Sequence, residues 1–266
     1  MSVESSKAKL LGAFLKSRRD RLQPEQAGIH QSYGKRRAIG LRREEVATLA
    51  GVSATYYTWL EQGREVTASK VVIESLAKAL QLTADERNHF LKLWDPNDTG
   101  TAPPISTTLN PQWRNIIDQL SYPSFISNEK ADVLAWNRGA AELLADFSAL
   151  PEGERNMLRL LFTSSELRRR MLNWEEFASH SVAVFRTYFD KYIEDPWFKE
   201  IVEQLCEESA DFTSMWRRHD VQLKKVSRVT IQQSDASKAI TYEIQSLASA
   251  ADYPDLHFCI YTPIQA

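Results

Sequence analysis

After its first arginine, the stretch Arg42–Gly63 reads REEVATLAGVSATYYTWLEQG. Its centre offers hydroxyls and small apolar groups in close order, at Ser53, Ala54, Thr55, Tyr56 and Thr58. Guanidinium groups stand on either side, at Arg42, Arg43 and Arg64. Hydroxyls and methyl groups read base edges in a DNA groove, whereas guanidinium groups hold phosphates. None of the five central residues is Arg, Asn or Gln, so no bidentate base contact is available from them. Base recognition by this stretch would rest on hydroxyl and methyl contacts. Arg64 reads as a phosphate clamp, and Trp59 as a residue packed against the preceding loop.

Covalent chemistry finds less support. His219-Asp220 pairs a base with a carboxylate but lacks a nucleophile or a third ligand at recognisable spacing. A hydrogen-bonded structural histidine is the expectation there. The 5 histidines show no metal-ligand spacing, so neither metal nor haem is expected, nor an enzyme.

The reading residues need two short helices and a tight turn. Val46, Leu49 and Ala50 give the first helix an apolar side, and Ala47 is small enough for a second helix to approach. Gly51 stands where a left-handed backbone closes a helix. Val52 plugs the turn, and Ser53 sits at the next N-cap. Tyr57 and Leu60, three apart, face inward, and Gly63 ends the second helix. This is helix-turn-helix spacing, in which the second helix enters the major groove. The alternative from geometry alone is a plain helical hairpin.

Around this unit, Lys7–Leu22 predicts an amphipathic helix. Leu11, Phe14, Leu15 and Leu22 form its apolar side, and Lys9, Lys16, Arg19 and Arg21 are left for solvent or phosphate. A loop with Pro24, Gly28, Gly34 and Gly40 follows and carries Lys35, Arg36 and Arg37, read as phosphate or minor-groove contacts. Helices over Ser69–Leu80 and Thr83–Trp94 complete five, the last opened by a Thr83/Glu86 capping box. DPNDTGTAPP, from Asp95, reads as a linker. The expected division is a domain over 1–95, a linker over 96–108 and a second domain over 109–266.

The length of 266 residues fits two domains. The net charge of −2 hides an asymmetry: residues 1–95 hold 16 basic and 11 acidic side chains, the remainder 17 and 24. Lys7–Arg43 alone holds 11 basic against 2 acidic residues, as phosphate binding requires. The acidic remainder would be repelled by DNA. No apolar run approaches the roughly 20 residues of a membrane span, the start shows no signal peptide, and the 2 cysteines, Cys206 and Cys259, are expected free, so a cytoplasmic protein is expected.

In the second half, Asn110-Pro111 opens a short helix. Strands are predicted over 124–127 and 131–136 around a turn at Asn128–Lys130, then a helix capped by Asn137. Helices follow over 154–162, 166–172, 174–192, 196–206 and 209–219, with Asn173 and Asp195 as caps. Three strands close the chain, over 224–232, around Ile240–Gln245, and over 256–262. Two strands, helices, then three strands is the order of a PAS-like sensor, in which an antiparallel sheet and helices enclose a small-molecule pocket. Trp136, Phe147, Leu161, Phe162, Phe185 and Trp216 are candidate lining residues, with Tyr188 and His219 as polar-edged neighbours; singly, each is as readily core. Arg155 and Arg186 must be paired if buried, either with Glu175 or Glu176 or with the carboxylate of an apolar ligand such as a fatty acid.

The strings VATLAGVS and YYTWLEQGR resemble the Xre/Cro-like helix-turn-helix family. Together with LGAFLKSRRDRL, ADVLAWNRGAAELL, ERNMLRLLF, NWEEFASHSVAVFR, FTSMWRRHDV and the closing IYTP, nearly the whole chain resembles the MmyB-like transcription regulators. The resemblance implies an all-α helix-turn-helix domain joined to an α+β, PAS-like ligand-binding domain, regulating transcription. A homodimer on double-stranded DNA is expected, with no membrane partner. One departure from the family pattern is the end soon after Tyr261-Thr262-Pro263, where a C-terminal tail is expected to be left out. Two alternatives stay open: a constitutive repressor whose second domain only dimerises, and an enzyme with a DNA-binding anchor.

Overall fold

The computed structural model describes residues 3–29, 40–95, 104–233, 238–248 and 253–264. The chain forms two compact units, with the main division between Ala102 and Pro103.

The first unit is all helical. Its elements are α1 (Val3–Arg21), α2 (Arg43–Ala50), α3 (Ala54–Glu61), α4 (Lys70–Ala79) and α5 (Ala84–Trp94). Local signals set the boundaries. Ser69 and Thr83 cap α4 and α5 through their side chains, and Glu86 closes the Thr83 capping box. The four apolar residues of α1, Leu11, Phe14, Leu15 and Leu22 beyond it, are all buried. Val46, Tyr57, Leu60, Ile73, Leu76 and Phe90 of the other helices are buried too, and Phe14 stacks on Phe90 at 5.7 Å. Gly12 lets α1 approach the end of α3: a Cβ there would lie 2.5 Å from the Glu61 carbonyl oxygen. Gly63 faces it with φ +66°, and its Cβ would lie 2.8 Å from the Lys9 Cα.

Leu49 and Arg19 depart from expectation in this unit. Leu49 is not inward but 43% exposed. At about 100° per residue, the buried arc of α2 is centred between Val46, Ala47 and Ala50, and Leu49 falls outside it. Arg19 is not left for solvent or phosphate. It is buried, and its Nε and Nη2 donate to Glu61.

The second unit is α+β. Its elements are α6 (Pro111–Asp118), β1 (Ser124–Ser127), β2 (Val133–Trp136), α7 (Arg138–Leu143), α8 (Met157–Thr163), α9 (Ser165–Arg170), α10 (Trp174–Lys191), α11 (Pro196–Glu208), α12 (Ala210–Trp216), β3 (Ser227–Gln232), β4 (Ala239–Ala248) and β5 (His257–Pro263). The strands make one antiparallel sheet in the order β2-β1-β5-β4-β3. Side-chain alternation gives the sheet two faces. Ile126 and Ala135 on one face bury against Ile117 of α6, with Trp113 and Phe258 around them. Phe125, Cys259, Tyr261 and Ile244 point to the other face, which the long helices cover.

Asn137 ties the short elements together. Its Oδ1 accepts from Ala140 N, capping α7, and from Ser124 N on β1. Its Nδ2 donates to the carbonyls of Leu120 and Tyr122 at 3.0 and 2.8 Å. Asn110 and Asp195 cap α6 and α11 as read from sequence. Asn173 does different work from a side-chain cap: its Oδ1 accepts from Thr230 N and its Nδ2 donates to Arg228 O, fixing the start of α10 to β3. The helix expected from residue 154 begins at Met157, because Asn156 caps it and Glu152–Glu154 is a 3-10 turn.

Candidate functional site

The α2–α3 turn follows from its residues. Gly51 takes φ +68°, and its N–H and that of Val52 close the end of α2 on the Thr48 and Ala47 carbonyls. Ser53 Oγ then accepts from Tyr56 N at 3.1 Å. Tyr57 and Leu60 turn into the core, so Ser53, Ala54 and Thr55 are left exposed on the opposite side.

The other sequence-predicted contacts divide. Tyr56 is half-buried, and its hydroxyl donates to Thr67 O at 2.8 Å, so its polar end is tied to the segment after α3. The Thr58 hydroxyl donates back to Ala54 O at 2.7 Å. Trp59 is exposed, with the Arg64 guanidinium 6.0 Å over its ring. Lys35, Arg36 and Arg37 lie outside the described residues. A groove between α2 and α3 brings Arg42, Arg43, Ala54, Thr55 and Thr58 together. Glu44 and the buried Arg19 line the same groove, so the exposed start of α3 stands beside an edge of arginines and one carboxylate.

Glu61 fixes that edge. Its Oε2 accepts from Arg19 Nε at 2.6 Å, and its Oε1 from Arg19 Nη2 and Arg43 Nε, both at 2.9 Å. Burial, the largest influence, pushes the Glu61 carboxyl up, but the Arg19 hydrogen bonds and charge, with Arg43, overcome it and leave it below its ordinary value. Arg43, expected to reach phosphate, gives one side of its guanidinium to Glu61 and keeps the rest exposed on the edge of α2. The sequence signal for Glu61 lay in the LEQG string, but its buried partner Arg19 was not legible from spacing.

A second site lies in the other unit. Between the sheet and helices α8 and α10 is a cavity of about 130 Å³. Phe125, Leu158, Leu161, Phe185, Ile244 and Tyr261 give it an apolar body. One water needs roughly 10–15 Å³, so the space suits a small organic group. Its polar lining comprises Ser127, Asn128 and Glu129 from β1 and the turn, His180, Ser181 and Tyr188 from α10, Lys224, Lys225 and Ser227, and Ser246 of β4. Glu129 is buried, Lys224 is half-buried and Lys225 is exposed. Tyr188 Oη lies 3.2 Å from His257 Nε2. Burial, then the Glu129 charge, pushes the Tyr188 phenol well above its ordinary value, so it stays a neutral hydroxyl.

Of the residues read from sequence as lining this pocket, Leu161, Phe185 and Tyr188 do so. Phe162 and Trp216 pack instead on Phe212, at ring-centroid distances of 5.1 and 5.7 Å, as aromatic core. Trp136 and Phe147 pack on each other at 5.4 Å. Arg155 does not meet Glu175 or Glu176. Its Nε donates to the Phe147 and Leu150 carbonyls at 2.9 and 3.0 Å, and its guanidinium lies 5.3 Å over Trp136. Arg186 lies 3.5 Å over Trp216 and donates to its carbonyl at 2.6 Å. Around Arg155, carbonyl oxygens and an aromatic face take the place of a carboxylate. His219 is a half-buried residue at φ +54° in the turn after α12.

Reasoning from sequence missed Glu129, His180, Lys224 and Ser246. For Ser246 a signal existed, since the alternation Tyr242, Ile244 continues inward to it. Cys206 and Cys259 are both free thiols. Among the described residues no group of three His, Cys, Asp or Glu could hold a metal ion, and no helix is long and apolar enough to cross a membrane.

Comparison with protein families gives two matches. The model described as the MmyB-like transcription regulator ligand binding domain matches residues 109–266. A helix-turn-helix domain model matches residues 10–90. No curated protein matches the chain.

Proposed function

The chain belongs to the MmyB-like transcription regulators, and from that premise we propose that it binds specific double-stranded DNA as a homodimer and responds to a small amphiphile held in the second unit. The exposed Ser53–Thr55 turn beside the Arg42–Arg43 edge is the reading surface. Two copies would set their α3 helices about 34 Å apart, one duplex turn. Arg42, Arg43 and Arg64 supply phosphate contacts, and Thr55 is the foremost base contact.

The observation that carries the sensing half is the cavity itself: an aromatic and aliphatic body with two lysines at one side. Such a space takes an apolar chain, and Lys224 and Lys225 suit an anionic head. A fatty acid fits that description with its carboxylate near the lysines, a role that Arg155 and Arg186 do not fill, since both donate to carbonyls elsewhere. Binding alters transcription only if the ligand favours one of two states of the regulator.

The test is to denature the purified full chain, analyse the extract by mass spectrometry, and measure melting with medium-chain alkanoic acids. A stoichiometric amphiphile, or an acid that raises the melting temperature, supports the reading. An empty extract with no acid shifting the melt contradicts the sensing half and leaves a second unit that serves only assembly.

A further inference from the structure

Ser246 interrupts the inner face of β4. Inward positions along this strand run Tyr242, Ile244, Ser246, and both Ile244 and Ser246 line the cavity. The Ser246 hydroxyl oxygen is buried and has no hydrogen-bond partner among the described residues. Its register partner across the ladder is Cys259, which also lines the cavity and is a weak donor and acceptor. A hydroxyl withdrawn from water and left unmatched is destabilising, and alanine would fit the same backbone without that penalty. A second polar pair links α10 to the sheet. His257, two residues before Cys259 on β5, holds the hydroxyl of the cavity-lining Tyr188 at 3.2 Å. The sheet wall thus changes from Ile244 to the hydroxyl of Ser246 along β4, and the Tyr188–His257 pair joins α10 to β5 beside it.

We infer that Ser246 is a specificity residue, and that the small molecule bound in this cavity carries a hydroxyl or carbonyl oxygen along its body that meets the Ser246 hydroxyl. This rests on the sensing function proposed above and narrows it. A plain alkyl chain would cover Ser246 and leave its hydroxyl unmatched. An oxygenated chain supplies the missing partner, and a site with a buried polar group discriminates against the analogue that lacks one. The ligand class is therefore an oxygenated amphiphile, a hydroxy or oxo acid rather than a saturated one.

The experiment uses the full chain and matched probes: octanoate against its 2-, 3- and 8-hydroxy and 3-oxo forms, titrated by calorimetry. The variants are Ser246→Ala and a cavity-filling Ser181→Phe, with melting temperatures measured for each. The expected result is that at least one oxygenated form binds about fivefold or more tightly than octanoate. Ser246→Ala should erase that difference without weakening octanoate, and should not lower the melting temperature of the unliganded protein. Ser181→Phe should abolish binding of all probes. Equal binding of octanoate and every oxygenated form, unchanged by Ser246→Ala, overturns the inference and leaves the sensor standing. Binding of none of the probes overturns the amphiphile-sensor reading and this inference with it. A Ser246→Ala variant that melts lower and binds all probes equally less well assigns the serine a structural part and overturns the inference as well.

Discussion

Arg19 grips Glu61 with two guanidinium nitrogens, Nε to Oε2 at 2.6 Å and Nη2 to Oε1 at 2.9 Å, joining α1 to the end of α3. A third nitrogen, Nη1, donates to the Leu41 carbonyl at 2.9 Å, just ahead of α2. Arg43 then shares Glu61 from the exposed side. One buried carboxylate thus sets the spacing of three helices and the aim of a surface arginine.

Removing one partner of this pair leaves the other charge buried. Glu61→Ala should destabilise the first unit by about 3–5 kcal/mol. Replacing both, as Arg19→Met with Glu61→Leu, should be milder than Glu61→Ala alone. Urea unfolding of the first unit measures both, and a double variant worse than the single would contradict this account of the pair.

The same carboxylate gives an acid dependence. The Glu61 and Glu86 carboxyls lie below their ordinary values in the folded chain; burial opposes this, and hydrogen bonds and charge from Arg19 for Glu61, and from Thr83, Arg18 and Arg21 for Glu86, overcome it. Below the unfolded value the unfolded chain binds more protons, so stability falls with falling pH. The contribution is complete above about pH 4.5 and disappears as pH drops through the folded values. Glu61→Gln should flatten that acid limb in a series of urea midpoints. An acid limb unchanged by the substitution would show that Glu61 is not its source.

On DNA the two classes of contact should separate. Thr55→Ala should relax base preference at one position by about 1–3 kcal/mol of discrimination. Arg42→Ala should weaken all duplexes alike and lower the salt slope by about one. Competition binding at several salt concentrations distinguishes them.

Asn137 is the structural hub of the second unit. Asn137→Ala removes the α7 cap and leaves the Leu120 and Tyr122 carbonyls without its amide. The expected loss is about 2–4 kcal/mol, read as a fall in melting temperature, whereas Asn137→Asp should retain the cap and lose the donor half.

Most of the framework was legible where a local rule acts. Gly51, Ser53, Thr83, Asn110 and Asn137 bound helices by local hydrogen bonds, and β4 announces itself by the alternation of Ile240, Tyr242 and Ile244 with polar residues. Leu49 was misplaced because α2 has only 8 residues, too few for its apolar stripe to be centred from sequence. The cavity was legible only in part. Leu161, Phe185 and Tyr188 line it, but aromatic type alone does not separate lining from core, and Phe162 and Trp216 went to core. Arg155 found the Phe147 and Leu150 carbonyls of the turn just before it, and Arg186 the carbonyl and ring of Trp216 thirty residues on, uncharged partners that a search for carboxylates passes over.

The most direct measurement is selection of duplexes from a random pool by the full chain, repeated with Thr55→Ala. The expected result is an enriched sequence with two related half-sites about one duplex turn apart, whose preference broadens at one position of each half when Thr55 is changed. A pool in which no sequence is enriched, or an enriched site indifferent to Thr55, would contradict the assignment of α3 as the reading helix.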